Sequence, residues 1–263
     1  MKYYEGKTVL ITGAFGGFGR HFIFQLIDSG AKLILTDLTA PPLTEVVADD
    51  EQRKSIIAVI PSDLSTSEGC RELYDEVKKL NTDVDVIIHN AGIFFLGAYT
   101  DAPLANSEKV INLNLLSVMR LNSLFLPELI QRQSGHLIYV SSVAGFVATP
   151  YAVPYTASKF GLRAFAMAVN REVKRFGVRS SIVYPFWSKT PIMKCQVFGD
   201  PKIKTMPDFY ASEPEYVVRT ALRGASRGKL HICPGIFSKL MWLAVKFIPV
   251  TAEQRFMREG LIG

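Results

Sequence analysis

The sequence predicts an α/β fold: a single doubly wound domain with a mostly parallel seven-stranded sheet and helices on both faces. Three observations carry this. Short β-branched or apolar runs alternate with longer stretches of helical spacing, the order expected of βαβ units. The central runs Val84–His89 and His136–Ser141 are almost continuously apolar, as buried parallel strands are. The 263 residues are 48% apolar and 21% charged, enough to bury a substantial core and unlike a disordered or low-complexity chain.

In chain order, strands are expected at Thr8–Thr12, Lys32–Thr36, Ser55–Ile60, Val84–His89, His136–Ser141, Arg179–Tyr184 and Lys229–Cys233. Helical spacing fills Gly17–Ser29, Thr66–Leu80, Ser107–Ile130, Tyr155–Phe176 and Pro214–Ser226. Gly30 stops the first helix, and Ser212 to Glu215 reads as a capping box with Pro214 in the first turn. No repeat or Gly/Ser linker cuts the chain. Residues 1–233 are therefore expected to form one domain, with 234–263 as an apolar and basic extension.

Cys70, Cys195 and Cys233 are too few and too scattered for a disulfide framework or a zinc site. No metal is expected, and the odd count suits a reducing compartment. The opening MKYYEGKTVLITG lacks the apolar run and cleavage site of a secretory signal, which points to the cytoplasm. A net charge of +6 permits nucleic acid, anionic lipid or an anionic substrate as partner without choosing among them.

Directly after the first strand comes Thr12-Gly-Ala-Phe-Gly-Gly-Phe-Gly19, and a helix starts at its end. Glycines there allow a tight turn, close approach of backbone to a pyrophosphate and tight helix–strand packing, while the helix N-terminus offers its amides to the phosphates. Gly13, Phe15, Gly17, Phe18 and Gly19 are thus candidate dinucleotide contacts. Asp37 ends the second strand, where a carboxylate accepts from adenosine ribose hydroxyls. It would repel a 2′-phosphate, and Leu38 beside it brings no cation, so NAD is favoured over NADP.

Tyr155 and Lys159 lie four apart, on one helix face. A free tyrosine, with a pKa of about 10, is a poor base at neutral pH, and a neighbouring ammonium tunes it towards acid–base work. Ser142 lies at the carboxyl end of the strand upstream, where doubly wound sheets bind ligands. Asn90, Ala91 and Gly92 end the preceding strand at the same edge, small enough for a cofactor to lie against backbone.

Taken together, TGAFGGFG, Asp63, HNAG, Asn114, Ser142, YTASK and the Pro185–Thr190 segment resemble the short-chain dehydrogenase/reductase superfamily, a Rossmann-type fold, from about residue 7 to 190. The resemblance implies Tyr155 as the acid–base of an alcohol–ketone interconversion. Lys159 would lower its pKa and bind the nicotinamide ribose, and Ser142 would polarise the substrate oxygen. Asn114, thirteen residues before Pro127, would position a water linking Lys159 to solvent, with Asn112 the neighbouring candidate. Asp63 and Leu64 would bracket adenine, and Thr190, after Pro185, would hold the nicotinamide carboxamide. A homodimer or homotetramer packed through helices 107–130 and 155–176 is also implied. Two departures stand out. The first Asn of the family's Asn-Asn-Ala-Gly is His89 here, read as packing rather than a base, and the glycine after Pro185 is replaced by Phe186.

Residues 186–212 are expected to form a lid in which Phe186, Trp187, Ile192, Met193, Val197 and Phe198 line an apolar substrate pocket. Ile236–Ile248 is an apolar helix candidate edged by Lys239 and Lys246, too short to span a bilayer. It packs on the domain, on a partner subunit or on a membrane surface. No reading motif accompanies the charge, so nucleic acid is not expected. The leading expectation is an NAD(P)(H)-dependent oxidoreductase of an apolar, moderately large secondary alcohol or ketone. A dinucleotide-sensing binding protein without turnover and a membrane-peripheral reductase of lipid-like carbonyls are the alternatives.

Overall fold

The computed structural model describes residues 1–199 and 211–247, the Met193 side chain excepted. The elements run β1 (Thr8–Thr12), α1 (Gly17–Ile27), β2 (Lys32–Thr36), the single-turn helices α2 (Leu43–Val46) and α3 (Asp50–Arg53), β3 (Ile56–Val59) and α4 (Ser67–Lys79). Next come β4 (Val86–His89), β5 (Phe95–Gly97), α5 (Leu104–Ile111), α6 (Ser117–Gln131), β6 (Gly135–Val140) and α7 (Val153–Val173). The order closes with β7 (Val178–Val183), β8 (Gln196–Phe198), α8 (Pro214–Ser226), β9 (His231–Ile232) and α9 (Gly235–Phe247).

Seven strands pair in parallel in the order β3-β2-β1-β4-β6-β7-β9. The winding reverses between β1 and β4, so a crevice opens at their carboxyl ends. Alternation along each strand divides the core. Val9, Ile11, Leu33, Leu35, Val86 and Ile88 face the layer of α1 and α8. Leu10, Ile34, Ile87, Leu137 and Tyr139 face α4, α6 and α7. Both faces being covered explains why these strands read as unbroken apolar runs. Each such side chain contributes about 1.5–3 kcal/mol by leaving water.

Gly30 behaves as expected of a stop. It adopts φ +73°, and the amides of Gly30 and Ala31 reach back to the carbonyls of Ile27 and Leu26 at 2.9 and 3.0 Å. The capping box at Ser212 does not form: Glu213 precedes Pro214 as the N-cap, with no side-chain capping bond. The Ser212 backbone is instead held extended, its amide donating to Trp187 O at 2.8 Å and its carbonyl accepting from Lys189 N at 3.2 Å. A small parallel sheet of β5 and β8 was not anticipated. It ties the segment after β7 to the segment after β4, above the crevice.

Between α5 and α6 the helix continues through a π turn, Asn112–Leu116. The Ser117 amide reaches Asn112 O, and its hydroxyl donates to Leu113 O. Leu104–Gln131 is long and apolar enough to cross a membrane by length and composition, but α6 packs on α4 and buries Val118, Leu121, Phe125 and Leu129 in the core.

Candidate active site

The predicted site residues gather where the strands end. At the glycine turn, Gly13 takes φ +62°, and a Cβ there would stand 2.8 Å from Ala91 Cα. A Cβ on Gly17 would lie 2.6 Å from Thr190 Cβ, and one on Gly19 would overlap the Gly13 and Ala14 carbonyls. The glycines thus press the turn onto β4's end and onto the segment after β7. Helix α1 starts with no side-chain cap and no acidic residue in its first turn, which leaves its amide end suited to an anion. The side chains of Phe15 and Phe18 pack on the core.

Asp37 fastens this turn. Its Oδ2 accepts from Phe15 N at 2.9 Å and its Oδ1 from Leu38 N at 2.8 Å. Each oxygen keeps a lone pair for a ribose hydroxyl. Arg20 Nε donates to Phe15 O at 3.2 Å, which puts a cation at the turn although Leu38 brings none. Asp63 is exposed, and the Ser65 hydroxyl (2.6 Å) and amide (3.0 Å) hold its carboxyl below the usual range. Leu64, by contrast, is 4% exposed and packs in the core, so only its backbone is available to an adenine.

Thr12 joins the two crevice walls. Its hydroxyl accepts from the amides of Asn90 and Ala91, both at 3.0 Å, and donates to Ile88 O at 3.3 Å. Asn90 Nδ2 returns bonds to Thr12 O and Gly13 O at 3.1 and 2.8 Å.

Tyr155 and Lys159 lie beside this wall. Lys159, 4% exposed, donates from Nζ to Val140 O at 2.9 Å and stands 5.5 Å from the Tyr155 ring centroid. Burial lowers Lys159 to about 8. Burial pushes the Tyr155 phenol up to about 12, against the opposing effect of its hydrogen bond with Ser142. Ser142 also caps the turn Val143–Gly145, its Oγ accepting from Ala144 N at 3.1 Å. Gly92 leaves room for the lysine: a Cβ there would lie 3.6 Å from Nζ.

Asn114 sits in the π turn, buried. Its Oδ1 accepts from Ile93 N and its Nδ2 donates to Ile93 O, both at 2.9 Å, with a further bond to Ser158 Oγ at 3.2 Å. Ser158 in turn donates to Tyr155 O at 2.7 Å. The Asn114 side chain thereby ties the start of the segment after β4 to α7.

Phe94 meets Tyr155 edge-on at 4.8 Å, while Trp187 and Ile192 are half-buried in the segment after Pro185. Phe186 meets Phe237 of α9 at 5.8 Å. Phe198 packs on Phe95 at 5.3 Å in the small sheet, and Val197 is exposed. Thr190 is buried against Gly17, its amide donating to Ser188 O at 2.8 Å. Of the expected lid, the Met193 side chain and residues 200–210 lie outside the described residues, as do 248–263 of the C-terminal extension. The described part of that extension packs on the domain. Trp242 stacks on Tyr184 at 5.1 Å, and Ser238 Oγ donates to Tyr184 O at 2.6 Å.

His89 stays out of the site. It is buried, with Nε2 2.8 Å from Asn122 Oδ1 and its ring stacked on Tyr139 at 5.2 Å, and burial lowers it to about 4. Sequence reasoning missed Thr12, Arg20, Phe94, Ser158 and the Val140 carbonyl. Ser158 was findable, being three residues from Tyr155 on the same helix face. A backbone carbonyl has no signal.

The sequence matches the short chain dehydrogenase family over residues 7–197. It is similar to 17-beta-hydroxysteroid dehydrogenase 13 of Rattus norvegicus, 27% identical over 271 residues that cover 100% of this chain and 88% of the relative. It is also similar to epidermal retinol dehydrogenase 2 of Homo sapiens, 31% identical over 95% of this chain and 80% of the relative. Two solved structures share the fold. A short chain dehydrogenase from Burkholderia cenocepacia J2315 in complex with NADP has TM-score 0.80 and 19% identity, covering 97% of this chain and 98% of the other. One from Burkholderia phymatum in complex with NAD has TM-score 0.80 and 20% identity, covering 97% of each.

Proposed function

The chain belongs to the short chain dehydrogenase family and is an oxidoreductase acting on CH–OH donors; we propose that it interconverts an apolar, moderately large secondary alcohol and its ketone, using NAD in preference to NADP. The observation that carries this is the meeting of Tyr155, Ser142 and Lys159, with Asn114 behind them, at one end of the sheet.

The chain's own features suit a nicotinamide dinucleotide. The amide end of α1 would hold its phosphates, and Asp37 the adenosine ribose. Asp63 with the Leu64 backbone would hold the adenine, Asn90 to Gly92 the face of the crevice, Lys159 the second ribose, and Pro185 and Thr190 the nicotinamide end. When bound, the dinucleotide supplies or accepts the hydride.

The protein's part is position and a proton. Ser142 holds the substrate oxygen beside the Tyr155 phenol. With its pKa pushed upward, Tyr155 keeps its proton at neutral pH and serves as the acid towards a ketone, and the Lys159 ammonium stabilises the phenolate left behind. Asn114 is a positioning residue: through Ile93 and Ser158 it fixes the first turn of α7, on which Tyr155 rides. Phe94, Phe186, Trp187 and Ile192 supply apolar walls, in keeping with relatives named for steroid and retinol substrates. Exposed Leu104, Met119, Val153 and Phe160 on α5, α6 and α7 support self-association through those helices.

Tyr155→Phe tests the assignment. NADH-linked turnover of the best substrate from a panel of ring, acyl and sugar carbonyls should fall by about 10²–10⁴, with NADH binding retained. Turnover within about tenfold of the parent would refute the acid–base role. A parent protein that binds NADH and turns over nothing in the panel would favour a dinucleotide sensor.

A further inference from the structure

The outer face of α9 carries an apolar ridge, and a basic cavity opens beside it. At about 100° per residue, Ile236, Leu240, Leu243 and Phe247 fall on one line. Opposite them, Ser238 is buried and Met241, Trp242 and Val245 pack on the domain. The ridge residues are 65%, 54%, 52% and 82% exposed, a contiguous patch rather than scattered apolar side chains. On one flank Lys239 and Trp242 line a cavity of about 360 Å³ together with Arg223, Arg227 and Lys229. None of these four cations makes an ion pair among the described residues, and no carboxylate lines the cavity. Lys246 extends the same flank, 5.2 Å from the Trp242 ring. On the other flank Phe237 meets Phe186.

An apolar ridge alone would accept many partners, but the cations beside it select an anionic one. A second copy of the chain would bring the same positive charge to the contact. We propose that α9 docks this protein onto an anionic lipid bilayer, with the ridge at the acyl boundary and lipid phosphates in the cation-lined cavity. The docking does not depend on the proposed chemistry. If that chemistry also holds, the Phe186 side of the substrate pocket faces the bilayer, from which an apolar alcohol or ketone would enter.

Flotation of the full chain with vesicles of phosphatidylglycerol in phosphatidylcholine, against phosphatidylcholine alone, tests this without any turnover. Binding to the anionic vesicles should exceed binding to neutral ones by about tenfold or more and fall in high salt. Leu240→Asp with Leu243→Asp, and separately Arg223→Gln with Arg227→Gln, should each lower it by about tenfold or more. Thermal unfolding and NADH affinity should match the parent in both, which separates lost docking from lost folding. No flotation, equal flotation on neutral vesicles, or parent-like flotation of both variants would overturn the proposal. So would a leucine variant that loses a dimer in light scattering while floating normally, which would give the ridge to a second copy.

Discussion

Replacing Lys159 by methionine should remove a pH-dependent burden on the fold and abolish turnover. Burial holds this lysine at about 8 against an ordinary 10.5. At about 1.4 kcal/mol per pH unit, keeping it charged inside the dinucleotide-free protein costs about 3 kcal/mol at pH 7. Below pH 8 the lysine is protonated in both states and the full cost applies. Between pH 8 and 10.5 the unfolded chain binds more protons than the folded one, so stability rises with pH and recovers about 2 kcal/mol by about pH 9.5. Methionine removes the charge but deprives Val140 O of its donor, a loss of about 1–3 kcal/mol. The variant should therefore equal or modestly exceed the parent at pH 7, and the parent should gain on it as pH rises. The Tyr155 phenol, pushed up to about 12, loses stability only above about pH 10 and is common to both proteins. Urea unfolding from about pH 7 to 9.5, extrapolated linearly, reads the difference. A constant gap between parent and variant across that range would refute a desolvated ammonium at position 159.

Asp37→Ala should reduce the NADH-to-NADPH ratio of kcat/KM by about tenfold or more, since the carboxylate is what opposes a 2′-phosphate; an unchanged ratio would mean that Asp37 only fastens Phe15 and Leu38. Gly17→Ala puts a Cβ 2.6 Å from Thr190 Cβ. Overpacking should cost about 1–3 kcal/mol, and calorimetric dinucleotide affinity should drop by about tenfold; parent-like affinity would show that this contact positions nothing. Asn122→Ala strips His89 Nε2 of its partner beside an Nδ1 that has no hydrogen-bond partner among the described residues. Stability should fall by about 2–4 kcal/mol with kcat within about twofold. A collapse of kcat in a protein of parent stability would instead make His89 part of the chemistry.

The sheet was legible because each strand is buried on both faces, and burial writes itself into the sequence as runs such as VIIH and HLIYV. β5 and β8 carry no comparable signal. Each is three residues long, and the pairing of Phe95 with Gln196 joins segments that follow β4 and β7, strands that β6 separates in the sheet. The candidate site was legible where the proposed chemistry calls for a particular side chain, as at Tyr155, Lys159 and Asp37. It was illegible where function needs a hydrogen-bond partner that many residues could supply, as at Thr12, or a backbone oxygen, as at Val140. Leu64 came with Asp63 from the family resemblance, and its side chain is buried in the core, which leaves its backbone for the proposed contact. The spacing to Pro127 favoured Asn114 over Asn112, and the π turn carries Asn114 to Ile93 and Ser158.

The burial of Lys159 is best understood through its distance from Tyr155. At 5.5 Å from the ring centroid, a unit charge would stabilise phenolate by under about 1 kcal/mol in bulk water, but by about 3 kcal/mol at an effective dielectric near 20. At neutral pH both the phenol and the lysine hold their protons. At neutral pH the ammonium is present, and a phenolate formed during proton transfer feels it in full. The gain to the phenolate is about as large as the cost of desolvating the lysine. Exposing the ammonium would spare the fold and forfeit the leverage. In the proposed mechanism, stability and catalysis therefore draw on one interaction, with the Val140 carbonyl, Gly92 and the Asn114–Ser158 bonds holding the lysine and the helix turn where burial is effective.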